Sequence, residues 1–153
     1  MDNYRDLELM AHLMRRAGLG CSLEELKKRA NVGYSETVEE LLAGTGGRTL
    51  GEDLIRRFHH ELSGLMGGRS SGEHWLYNMI TNDAVLEEKI ALFWHNIFAT
   101  GYPKVVHSKV LTDQIRMFRR YGLGDFKTLL MQLSKDPAMI IWLDNQDNHV
   151  GNI

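Results

Sequence analysis

Apolar side chains recur at steps of three and four along most of the chain. Leu7, Met10, Ala11, Met14 and Ala17 fall on one face of an α-helix at that spacing, and Gly18 ends the run. Ser22 with Glu25 makes a capping-box signature ahead of Leu23, Leu26 and Ala30, which predicts a second helix from Ser22 to about Asn31. Ser35 is placed to cap a third, with Val38, Leu41 and Leu42 facing inward and Gly44 closing it. The stretch Gly44 to Gly51 has no apolar period and reads as a surface loop, and a fourth helix follows over Asp53 to Leu65. Met66 to Gly72 (MGGRSSG) is the most linker-like segment.

From Glu73 the apolar content rises. Trp75, Leu76, Met79 and Ile80 sit on one short helix. Asp83 to Thr100 reads as a long helix whose Leu86, Ile90, Phe93, Trp94 and Ile97 form a broad apolar stripe closed by Gly101. His107 to Tyr121 gives another, with Leu111, Ile115, Phe118 and Tyr121 inward and Gln114, Arg116, Arg119 and Arg120 largely outside. Asp125 caps a helix carrying Phe126, Leu129, Leu130 and Leu133. Asp136 and Pro137 begin a last helix to about Leu143, an acceptor at the cap followed by a residue whose missing N–H costs nothing in the first turn. The one β-branched pair, Val105 and Val106, lies beside Pro103. The expected fold is therefore all-α, an irregular multi-helix bundle of about eight or nine helices.

Composition narrows this picture without redirecting it. The 153 residues suit one domain, 1–153, with loops near 44–51 and 66–72. With 43% hydrophobic and 25% charged residues the chain folds by ordinary burial. A formal net charge of -2 provides no basic field for nucleic acid. Cys21 is the sole cysteine, so no internal disulfide is available and a buried structural thiol is expected. The N-terminus mixes acidic residues with apolar ones and lacks a signal-peptide core, which points to the cytoplasm for the chain as given. No run approaches the roughly 18 to 20 apolar residues of a membrane span. The end, DNQDNHVGNI, is polar and has no apolar partner, as expected of the N-terminal portion of a larger helical protein or an interrupted reading frame.

Four segments in this order, AHLMRRAGLG, EEKIALFWHNIFATGY, FRRYGLGDFKTLLMQLSKDPAMIIWLDN and NQDNH, resemble the bacterial family catalogued as domain of unknown function 1800. The likeness covers essentially the whole chain and about the first third of a typical member. It implies a helical fold and no settled biochemistry. It also implies that full-length relatives are often exported, and that a protein similar to the alkaline phosphatase superfamily, frequently encoded beside them, is a candidate partner. Relatives commonly show Trp-His-Asn-His-Phe where this chain has Trp94, His95, Asn96, Ile97 and Phe98. They continue past the equivalent of Asn148 and His149 into a further helix.

Two places could carry chemistry. His95 suits either a packed core histidine or a ligand or acid–base group, and burial beside Trp94 and Phe98 would keep its ring neutral in both cases. Residues two apart on a helix point about 200° from each other, so even the family's histidine pair would hardly chelate one ion. Asp144, Asn145, Asp147, Asn148 and His149 form the second place, dense in oxygen and imidazole donors. His149 occupies the position where a calcium loop needs Gly, so the alternative is a polar loop between helices. Together His95, Asp144, Asp147 and His149 are the metal candidates, with a divalent ion as the cofactor they would hold.

Other features carry less. His59 and His60 face different directions on their helix, and the pairs Arg15-Arg16 and Arg119-Arg120 are expected on solvated faces. Gly18-Leu19-Gly20 and Gly122-Leu123-Gly124 lack the strand a phosphate loop requires, and helix C-caps account for them. Two functional classes stay open. One is a helical interaction or scaffold module. The other is part of a metal-assisted or acid–base enzyme whose site is completed by residues beyond Ile153.

Overall fold

The computed structural model describes residues 2–44, 57, 68–148 and 151. Nine α-helices occur among the described residues and no strand does. In chain order they are α1 (Asp2–Ala17), α2 (Leu23–Val32), α3 (Tyr34–Ala43), α4 (Gly68–Thr81), α5 (Val85–Ile97), α6 (Tyr102–Val105), α7 (Ser108–Tyr121), α8 (Phe126–Leu133) and α9 (Pro137–Trp142), followed by a 3-10 turn at Asn145–Asp147. The all-α expectation holds. Of the helix predicted over 53–65 the structure describes residue 57 alone, and His59, His60 and the loop at 45–51 lie outside the described residues, whereas residues 68–72 of the linker-like stretch belong to the first turns of α4. No helix among the described residues is long and apolar enough to cross a membrane.

The chain divides into two compact units, Met1–Thr49 with Tyr77–Lys89, and Leu50–Leu76 with Ile90–Ile153. The boundaries lie between Thr49 and Leu50, between Leu76 and Tyr77, and between Lys89 and Ile90.

In the first unit Met10, Met14, Ala17 and Leu41 form the core, with Leu13, Leu26, Val85 and Leu86 packed on it. Burial of such side chains supplies the main driving force. Ser22 caps α2 as its spacing predicts, its Oγ accepting from the Glu25 N–H at 3.2 Å. Ser35 does not cap α3. That helix starts one residue before it, with Gly33 at the cap at φ +114°, and the Thr37 hydroxyl donates back to the Gly33 carbonyl at 2.7 Å. A backbone turn only glycine adopts freely has replaced the side-chain cap. Leu23 and Leu42, expected inward, are exposed, and so is Cys21. Two of the buried polar groups hold each other: Asn82 Nδ2 donates to the buried Glu88 carboxylate at 2.8 Å, while Asn82 Oδ1 accepts from the Ala84 N–H at 3.1 Å.

The second unit is built on Ala91, Ile115, Phe118, Leu129, Leu133 and Met139, with Trp75, Trp94, Phe98 and Trp142 against them. Phe118 is wholly buried. Asp125 and Asp136 cap α8 and α9 as predicted, accepting from Thr128 N at 2.8 Å and Met139 N at 2.9 Å. The long helix stops at Ile97, three residues short of its expected end. Beyond it α6 forms unanticipated, with Pro103 in its first turn and Val106 closing it at φ 53°, a costly conformation for a β-branched residue.

Gln114, expected outside, is fully buried. It sits at the spacing of the apolar stripe, three after Leu111 and four before Phe118. Polar partners make that burial tolerable: its Oε1 accepts from the Thr100 hydroxyl at 2.6 Å and its Nε2 donates to Asp136 Oδ1 at 2.7 Å. Buried polar atoms are stable only when satisfied in this way. Burial is the largest influence on Asp136 and raises its pKa, against hydrogen bonds from Met139, Gln114 and Ala138 that lower it, with the Asp113 charge adding to the rise.

Candidate functional site

His95 lies in the last turn of α5, half-buried. Its ring meets Trp75 of α4 edge to face, with centroids 5.2 Å apart and planes at 83°. The Nδ1 atom is enclosed and has no hydrogen-bond partner among the described residues. Burial lowers the His95 pKa, so the imidazole stays neutral near pH 7. This agrees with the environment expected from the sequence, although Trp75 is the aromatic partner that α4 brings and the linear chain does not announce.

The terminal polar segment forms a short turn after α9. Asp144 stands at φ 57°, in the left-handed region where Asp is one of the few side chains tolerated. Its carboxylate accepts from Lys104 Nζ at 2.7 Å. The same ammonium donates to the Trp142 carbonyl at 2.7 Å and lies 6.0 Å from the centroid of the Trp142 ring. Lys104 thereby closes off a carbonyl that the end of α9 leaves without an intrahelical donor. Asn148 Nδ2 donates to Asn145 Oδ1 at 3.1 Å, and the Asp147 N–H donates to the Asp144 carbonyl. Asp147 is exposed. His149 lies outside the described residues. Among the described residues no group of three or more His, Cys, Asp and Glu side chains is gathered closely enough to hold a metal ion.

A small cleft in the first unit is lined by Arg29, Glu40, Leu41, Gly44 and residues 83–87. Its volume is about 40 Å³, room for roughly three waters and short of an organic substrate. Arg29 is drawn to Glu25 at 2.7 Å and Glu40 at 3.8 Å, and Asp83 and Glu87 add two more carboxylates to the lining.

One departure from the sequence reading is the exposure of apolar side chains on the second unit. Phe93 and Ile97, predicted in the buried stripe of α5, are 51% and 50% exposed. Phe126, the first residue of α8, is 53% exposed, and Leu123 before it 45%. Trp94 gathers them. Its ring contacts Phe93 at 5.0 Å and stacks on Phe126 at 5.7 Å, and its Nε1 donates to the Gly122 carbonyl at 2.8 Å. Leu123 follows directly on Gly122. Ile97 shares the helical face of Phe93 at a four-residue step. Periodicity alone marks these positions as apolar and cannot tell which side of a broad stripe the neighbouring helices cover.

A family model described as protein of unknown function (DUF1800) matches residues 12–153. No curated protein matches the chain, and no solved structure does.

Proposed function

The chain belongs to the DUF1800 family of proteins of unknown function, and for this member we propose the role of a helical interaction module that docks a protein partner on the apolar face around Trp94. The observation that carries the reading is the exposure of Phe93 and Phe126, both against the Trp94 ring, with exposed Ile97 and Leu123 near them in sequence. Exposed aromatic side chains packed on one another are candidates for an interaction surface, and aromatic anchors dominate binding energy where they are covered. The protein similar to the alkaline phosphatase superfamily that the family resemblance suggests is the first partner to test. Cross-linking with mass spectrometry in the native host is expected to recover a partner with wild type and to lose it with the Phe93→Asp, Phe126→Asp double variant. Both residues are half outside the core, so the variant keeps its helical circular dichroism. An identical cross-link pattern from the two proteins would overturn the reading.

A second reading rests on His95, whose neutral ring and unpartnered Nδ1 are what an acid–base group or metal ligand requires. In this reading His95 works with Asp144, Asp147 and His149. Elemental analysis of the purified chain is expected to find a divalent ion in stoichiometric amount, and less of it after His95→Ala or Asp147→Ala. Metal-free protein that gains no thermal stability from added zinc or manganese would rule this out.

A further inference from the structure

We draw no further inference here: the strongest candidate, the exposed surface patch of the second unit where Phe93 of α5 and Phe126 of α8 lie against the Trp94 ring, carries nothing beyond the docking reading already given, because nothing in the structure shows what covers it.

Discussion

Gly122→Ala is expected to cost the chain about 3 kcal/mol, the upper end of the usual range for overpacked cores. Gly122 has φ −68° and ψ −26°, a conformation open to any residue, so the usual conformational argument for glycine does not apply. Space is the reason. A Cβ there would lie 2.6 Å from Ile90 Cγ2 and 2.7 Å from Trp94 Cδ1, and against the Phe118 carbonyl. The last of these is backbone of α7, next to the wholly buried Phe118 side chain, and cannot rotate away. The indole that would have to retreat also donates to the Gly122 carbonyl, so relief of the clash breaks a hydrogen bond as well. The entropy gained by replacing glycine, about 0.4–1 kcal/mol, does not offset this. Thermal denaturation should shift down by roughly 6–12 °C, at about 2–4 °C per kcal/mol for a chain of this size, with the Trp94 emission moving in parallel. Gly72→Ala is the control: it is helical with nothing within 4 Å of its Cβ, and it should gain roughly 0.5–1 kcal/mol. A Gly122→Ala protein as stable as wild type would mean that Trp94 is not held as described.

The second large effect is expected at Asp136, where the two obvious substitutions should differ sharply. Asp136→Ala removes the cap of α9, worth about 1 kcal/mol, and strands the buried Gln114 Nε2 at a further cost of about 1–3 kcal/mol. The Thr100, Gln114, Asp136 chain then has no end acceptor. Asp136→Asn keeps Oδ1 as acceptor for both the Gln114 and Met139 donors and withdraws a charge that burial disfavours. It should match wild type or exceed it at pH 7. The sign follows from linkage: a carboxyl with its folded pKa raised binds its proton more tightly when folded, so the native state loses stability as pH rises from the unfolded value, about 3.9, through the folded one. The advantage of Asp136→Asn over wild type should therefore be small in acid and grow through that window. Chemical denaturation of the three proteins at pH 3.5 and pH 7 checks it. Parallel stability curves for the Asp136→Asn protein and wild type would show that Asp136 is not desolvated.

Much of the local structure was legible because its causes are local. Ser22, Asp125 and Asp136 each cap a helix start three residues away, and a three-residue relation can be read along the chain. Gly33 shows where that logic ends: a turn made by backbone freedom displaced the Ser35 cap, and both were consistent with the same letters. Gln114 was hidden for a different reason. Its burial depends on Thr100 and Asp136, which are 14 and 22 residues away, and polarity alone argued for the outside. Its one local signal was its place in the stripe between Leu111 and Phe118. The exposed side chains of α5 and α8 were missed because hydropathy records what a residue prefers and not which neighbour arrives to satisfy it. In the candidate site, the neutral state of His95 followed from its aromatic neighbours, whereas its contact with Trp75 and the hold of Lys104 on Asp144 came only with the tertiary structure.

The Lys104 ammonium gives the terminal turn a resident competitor. It already occupies the Asp144 carboxylate and the adjacent Trp142 carbonyl, the two oxygens a hard cation would reach first. A divalent ion can be held there only by molecules in which the lysine has let go, so any measured affinity is reduced by the fraction that has done so. Raising that fraction, by exchanging Lys104 for methionine, removes the occupant while keeping its apolar stem over Trp142. The turn would then report its own appetite for metal, free of the cation the chain carries with it.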